Sequence, residues 1–476
     1  MDNKPLTDTI AAIATPHGCG GIGVVRVSGA AVPQLALTIT KKNLQPRKAE
    51  LVEFYNPLGN VVDIGLAILF PAPHSFTGED VLELHGHGGV VVLALLLEAV
   101  VAFGARIANP GEFSARAFEN NKIDLAQAEA IADLISAQSK QAAGAALRSL
   151  QGNFSAQINS IVSDLTTLRI KVEAAIDFPE DADYLGREQL PEEITAQLTK
   201  CQQVLAEAEH GQLLASGLRV VVLGEPNVGK SSLLNLLSGE DTAIVTNIPG
   251  TTRDILQAQV SLSGIRMDVL DTAGIRESAD CIEQEGIRRA WLAVDTAQII
   301  ILMLDGSVVD ESNPRILYPE WVGKFPDDAK ILVVVNKIDL LDAAQEDQPV
   351  SAVSVVPSPL VSRAAPEFIL YKDYVVVKMS AKTGLGKQQL EEALSHITGV
   401  NVAVEPSFIA RKRHVIALQD AAQNLQSSQQ WLQDGAVLEL VAEELRLAQQ
   451  ALAAITGEFT ADDLLGRIFS EFCIGK

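Results

Sequence analysis

At 476 residues the chain is long enough for two to four domains of roughly 150 residues each, which argues against a single domain. With 47% hydrophobic and 20% charged residues it has the composition of a globular protein, neither disordered nor membrane-spanning. A net charge of −23 argues against recognition of nucleic acid through a broad basic surface, because phosphate contacts need clustered Lys and Arg.

The first residues, MDNKPLTDT, show neither a secretory nor a transit pattern, so a cytoplasmic location is expected. Short β-like runs at Ile22–Val27, Val61–Phe70 and Val81–His85, punctuated by Gly and Pro, predict a compact α/β domain over residues 1–119. Within it, GCGGIG at 18–23 fits the spacing of a dinucleotide loop. The following VVRVSG is strand-like rather than helical, and that reading is rejected. The apolar run from Gly88 to Ala102 is interrupted by Glu98 and too short for a bilayer, so no membrane association is expected. Residues 120–215 turn to Ala, Leu, Gln and Glu at helical spacing, as in DLAQAEAIADLISAQ and EEITAQLTKCQQVLAEAE, predicting long amphipathic helices. From Leu218, apolar strands and helices alternate, and residues 216–385 are expected to be an inserted doubly wound module. Residues 386–476 return to helical texture and are expected to complete one bundle with 120–215. The run Arg411-Lys412-Arg413-His414 reads as the solvated end of a helix. The fold class is therefore multidomain: α/β, then all-α, with an inserted P-loop module. Cys19, Cys201, Cys281 and Cys473 are too scattered for a disulfide framework or a zinc site.

The chemistry concentrates in the inserted module. Strand Leu218–Leu223 runs into GEPNVGKSS at 224–232, the G-x-x-x-x-G-K-S pattern in the strand-then-helix context that gives it meaning. Asn227, Val228, Gly229, Lys230, Ser231 and Ser232 would wrap the phosphates, with Lys230 neutralising β and γ oxygens and Ser231 ligating Mg²⁺. Thr246, Asn247, Ile248, Pro249, Gly250, Thr251 and Thr252 have the hydroxyls and glycine of a loop ordered by γ-phosphate and Mg²⁺, with Thr252 as second metal ligand. Asp271, Thr272, Ala273 and Gly274 follow the strand MDVL and would sense the nucleotide state. Asn336, Lys337 and Asp339 end the strand ILVVV; the Asp339 carboxylate can accept both N–H donors of guanine, a pair adenine does not offer. Ser380, Ala381 and Lys382 complete the base pocket. The four motifs in this order indicate GTP as substrate. Ile275 stands where many GTPases carry a water-orienting Gln, leaving Glu277, Glu283 and Glu285 as candidate substitutes.

Beyond the nucleotide motifs, PGTTRD, FTGEDVLELHGHGG, IDLAQAEAIADLI and the tail GEFTADDLLGRIFSEFCIGK resemble the tRNA modification GTPase family MnmE, also called TrmE, over nearly the whole chain. The resemblance implies a GTPase activated by K⁺ and by transient dimerisation of its G domains, with Asn227, Thr246, Ile248 and Thr251 as K⁺ ligands and Glu283 as catalytic glutamate beside Lys230. It implies a tetrahydrofolate (5-formyl or 5,10-methylene) held by Arg26, Glu83, Lys122 and Lys476 in an N-terminal domain that also forms a homodimer, and a functional thiol at Cys473. It further implies a complex with the flavoprotein MnmG (GidA) that adds a (carboxymethyl)aminomethyl group at C5 of the wobble uridine, U34, of certain tRNAs.

Taken without that resemblance, Arg26 and Glu83 are simply polar positions on the exposed face of one-sided strands, and Cys473 is an inert thiol. Two other readings compete. A regulatory GTPase acting on RNA or ribosomes would need a basic module, where this chain has acidic helices. A folate-dependent methyltransferase acting alone would need a redox-cofactor site, and none is recognisable. The Pro- and Val-rich stretch 343–374 reads as an insertion at the surface of the nucleotide-binding module.

Overall fold

The computed structural model describes residues 8–16, 18–137, 139–178, 189–238, 256–262, 265–271, 288, 291–308, 312–327, 329–342, 367–371, 373–398, 407–434, 438–458, 468 and 475. The chain divides into two units: residues 1–135, 147–204 and 416–476 form one, and residues 136–146 and 205–415 the other.

In the first unit, β1 (Ile10–Ile13), β2 (Gly23–Ser28), β3 (Glu50–Tyr55), β4 (Val61–Phe70), β5 (Val81–Gly86) and β6 (Arg106–Ile107) form a sheet in the order β3-β4-β5-β2-β1-β6. Among the described strands of this sheet, β1 and β6 are the pair that runs parallel. The β3–β4 turn is set locally: the Asn56 side chain accepts from the Leu58 and Asn60 N–H groups, and Gly59 takes φ 81° at the tip. Alternation places Val25, Val27, Val52, Phe54, Ala67, Leu82 and Leu84 on one face, under α1 (Val32–Thr40) and α2 (Val90–Ala102). The apolar run around Glu98 is thus a core helix. No helix among the described residues is long and apolar enough to cross a membrane. At the β1 end the opposite face is covered by α3 (Glu112–Glu119), where Phe113 and Phe76 join Ile10, Ala12 and Ala108.

Helices α4 (Leu125–Ser136), α5 (Lys140–Leu150), α6 (Asn153–Asp177) and α7 (Leu190–Ser216) follow. Helix α6 buries Phe154, Ile158, Ile161, Leu165, Leu168 and Val172, alternate steps of four and three that make one apolar stripe. The helix Leu438–Thr456 buries Leu438, Val441, Leu445, Ala448, Leu452 and Ile455 on the same rhythm, and the two pack along their length as a heptad seam.

In the second unit, β7 (Leu218–Gly224) leads into α8 (Lys230–Ser238), followed by β8 (Leu256–Leu262), β9 (Ile265–Asp271), β10 (Ile299–Asp305), α9 (Pro314–Leu317), α10 (Pro319–Val322), β11 (Lys330–Asn336), α11 (Asp339–Asp342), β12 (Glu367–Leu370), β13 (Tyr374–Lys378) and α12 (Lys387–Thr398). Helices α13 (Lys412–Gln433) and α14 (Leu438–Thr456), the seam partner of α6, follow. The sheet order is β12-β13-β11-β10-β7-β9-β8, parallel at its centre with antiparallel edges β8 and β12. Central strands such as VVVL and IIILML are buried along nearly their whole length, as a sheet covered on both faces requires.

Edge strand β12 falls inside the stretch 343–374, whose residues 343–366 lie outside the described ones. His414, expected at a solvated helix end, is 2% exposed, with Nδ1 accepting the Arg411 N–H at 3.1 Å.

Candidate active site

The first constellation sits at the carboxyl ends of β7, β10, β11 and β13, where ligands bind in open parallel sheets. The loop between β7 and α8 holds Asn227 at φ 65° and Gly229 at φ 104°. A side chain on Gly229 would stand 2.2 Å from Asn336 Nδ2, so only glycine fits. Helix α8 starts at Lys230, and its N-terminal turn is the end of a helix at which anions bind. Lys230 is 9% exposed, and its Nζ donates to the Gly224 and Glu225 carbonyls, each at 3.0 Å, which keeps the ammonium over the loop. Ser231 and Ser232 are exposed at the first turn.

Asn336 ties this loop to the others. Its Nδ2 donates to the Val228 carbonyl at 2.7 Å, and its Oδ1 accepts the Ala381 N–H at 2.8 Å. Ser380 and Ala381 are buried, while Lys382 is exposed. The turn after β13 closes on itself, with Ser380 N–H donating to the Leu385 carbonyl at 2.8 Å. Asp339 opens α11 half-buried, one turn beyond Asn336. Asn227 to Ser232, Asn336 to Asp339 and Ser380 to Lys382 therefore converge at the carboxyl end of the sheet. Asp271 ends β9. Thr246, Asn247, Ile248, Pro249, Gly250, Thr251, Thr252, Thr272, Ala273, Gly274 and Glu283 lie outside the described residues.

One residue here was not singled out from sequence. Asp305, at the end of β10, receives Lys337 Nζ at 2.6 Å. Burial raises its carboxyl, but the bonds from Lys337 and Ser307 outweigh that and hold it below the usual carboxylate range. The only sequence signal is an acidic residue ending the apolar run IIILML.

The second constellation belongs to the first unit. The β2–β5 register sets Arg26 opposite Glu83. Glu83 Oε1 accepts from Arg26 Nε at 3.0 Å and Nη2 at 2.9 Å, and its Oε2 lies 3.1 Å from His85 Nε2. The guanidinium carbon lies 5.5 Å from the Phe76 ring centre and 5.9 Å from that of Phe113. Side-chain exposures of 23% and 17% show that neither residue is a freely solvated strand position. Gly475, at φ 101°, lies against Ile13, so the end of the chain reaches the strand beside β2. Lys122 follows α3, exposed, its stem beside Gly78. It makes no hydrogen bond to Arg26 or Glu83 among the described residues. Lys476 and Cys473 lie outside them.

A phosphate loop clamped by a buried Asn to a guanine-pocket loop defines a GTPase of the P-loop class. The model described as the GTP-binding protein TrmE N-terminus matches residues 9–122, and that of the MnmE helical domain matches residues 125–473. Among curated relatives, the tRNA modification GTPase MnmE of Sodalis glossinidius is 48% identical and that of Proteus mirabilis 47%, each over 99% of both chains. The chain belongs to the tRNA modification GTPase MnmE family. Among solved structures, the G domain of the T. maritima FeoB iron transporter is similar over 38% of this chain and 98% of its own, at 24% identity and a TM-score of 0.27.

Proposed function

We propose that this GTPase drives modification of tRNA at C5 of the wobble uridine, U34, in complex with the flavin- and NADH-using protein MnmG (GidA), adding a (carboxymethyl)aminomethyl group. Full-length similarity to proteins named tRNA modification GTPase is the observation that carries this reading. The proposed domains are 1–119, 120–215 with 386–476, and an inserted G domain at 216–385, working in the cytoplasm.

In the nucleotide site, Lys230 would turn from the Gly224 and Glu225 carbonyls to β and γ phosphate oxygens, and Asp339 would accept from guanine. Ser231, Thr252 and Asp271 would hold Mg²⁺ and its hydration shell; the exposed Ser231 hydroxyl at the head of α8 fits that task. A K⁺ ion held by Asn227, Thr246, Ile248 and Thr251 would supply positive charge near the transferred phosphoryl group. Asn227, left-handed at φ 65° and exposed in the loop, is accessible for that task. Glu283 would orient the attacking water.

In the first unit, Arg26 and Glu83 offer a donor–acceptor pair walled by Phe76 and Phe113, which suits a flat heteroaromatic ring bearing amide-type donors and acceptors, as in a folate. Arg26, Glu83, Lys122 and Lys476 would hold a 5-formyl- or 5,10-methylene-tetrahydrofolate, the source of the one-carbon unit, with Cys473 nearby in the tail. Leu51, Ile64 and Leu66, exposed at 71%, 49% and 40% on the face that carries Glu83, support a homodimer through this domain.

The coupling is tested by reconstituting modification of tRNA with the partner flavoprotein and a Glu283→Ala chain. Loss of modified U34 despite retained GTP binding is expected. Normal modification by this variant would overturn the coupling.

A further inference from the structure

The carboxylate of Asp305 has no place in the four nucleotide motifs, yet its bonds are arranged around one of them. Parallel pairing of β10 with β11 sets Asp305 opposite Asn336, the residue before Lys337. Lys337 takes φ 65°, a left-handed conformation that a lysine adopts only where its surroundings hold it. Its Nζ lies 2.6 Å from Asp305 Oδ2. The other oxygen, Oδ1, accepts the Ser307 N–H at 3.0 Å and the Ser307 hydroxyl at 2.6 Å. Gly306 N–H donates to the Asn336 carbonyl at 2.8 Å, and a side chain there would come within 2.9 Å of that oxygen. The turn 305–307 is thus seated directly on the end of β11, with both carboxylate oxygens engaged. Side-chain exposures are 19% for Asp305 and 30% for Lys337, so the pair is shielded far more than an ion pair on open surface.

We propose that Asp305 is a positioning residue for guanine nucleotide, acting by anchoring the Lys337 ammonium so that the lysine stem is already fixed, between Asn336 and Asp339, where a purine ring packs. A lysine stem that must be ordered on binding loses rotamer freedom at the expense of affinity. An anchor made beforehand removes that loss without adding a contact to the ligand. The inference rests on the reading of Asn336 to Asp339 as the guanine-selecting loop.

The test is titration of the full chain with the fluorescent nucleotide mant-GDP, comparing wild type, Asp305→Ala, Asp305→Asn, Lys337→Met and the double variant Asp305→Ala/Lys337→Met. Asp305→Ala raises Kd by about tenfold. Asp305→Asn, which keeps an acceptor for the ammonium, recovers much of the loss. Lys337→Met has no ammonium to anchor, so adding Asp305→Ala to it changes Kd by less than about twofold. In steady state the Asp305→Ala loss falls on KM for GTP more than on kcat. Wild-type affinity for Asp305→Ala, or the same tenfold loss in the Lys337→Met background, would overturn the proposal. Asp339→Ala separates it from the reading beneath it. Unchanged preference of that variant for GDP over ADP overturns the guanine-loop assignment itself. Lost preference there, with Asp305→Ala binding as wild type, overturns only the role of Asp305.

Discussion

Asn336 occupies the space that a side chain on Gly229 would need: an ideal Cβ on Gly229 stands 2.2 Å from Asn336 Nδ2. The glycine is therefore required twice, by its φ of 104° and by the carboxamide that reaches over it to the Val228 carbonyl. Replacing it displaces the residue that joins the phosphate loop to Ala381.

Gly229→Ala is expected to weaken mant-GDP binding on the order of 10- to 100-fold, equivalent to about 1.4–2.8 kcal/mol. Asn336→Ala leaves the buried Val228 carbonyl and Ala381 N–H unpaired, at about 1–3 kcal/mol each, and is expected to lower Tm as well as affinity. Fluorescence titration and thermal melts measure both.

The buried cluster around Arg116 gives the first unit a pH dependence. Arg116 is 1% exposed and contacts Asp8, Glu79 and Glu112 at 2.9–3.0 Å. Burial raises the Glu112 carboxyl, but bonds from Arg106, the Asn109 N–H and Arg116 outweigh it, so its folded pKa lies below the unfolded value. Stabilisation from Glu112 is then fully present above the unfolded pKa of about 4.3 and is lost as pH falls through the folded value. Glu112→Gln is expected to lower Tm at pH 7 and to approach wild type in acid. A melt series from neutral to acid pH checks it.

The α6–α14 seam makes a packing prediction. Leu165 and Leu445 are fully buried, and truncation of either to Ala is expected to cost about 2–5 kcal/mol in denaturant unfolding. A polar substitution at Ile170, 64% exposed on α6, is expected to stay within about 0.5 kcal/mol.

Glu83→Ala leaves the Arg26 guanidinium, 23% exposed, with neither of its carboxylate bonds. Binding of 5-formyl-tetrahydrofolate, measured calorimetrically, is expected to fall at least tenfold, about 1.4 kcal/mol or more. Glu83→Gln, which keeps an acceptor oxygen for Arg26, is expected to bind more tightly than Glu83→Ala.

The parts of the fold and site legible in the sequence are those written in local spacing. The loop 224–232 follows its strand directly and opens its helix, and β4 appears as the continuous run Val61–Phe70. What was not legible depends on register between distant strands. Asp305 meets Lys337 only because β10 and β11 align Asp305 with Asn336. Arg26 and Glu83 looked like solvated positions because alternation reports which face a residue is on, not what covers it; Phe76 and Phe113 do. Strand β12 follows a Pro- and Val-rich stretch, and its identity as an edge comes from pairing with β13. His414 sits in a basic run whose charge suggested solvent, while its ring is buried beneath its own helix start.

Cation-assisted hydrolysis is tested most directly by GTP turnover of the purified chain in KCl against NaCl at equal ionic strength, with and without Asn227→Ala. Strong stimulation by K⁺ that the variant loses is expected. Equal rates in the two salts would contradict cation-assisted hydrolysis and favour a switch activated by a separate partner.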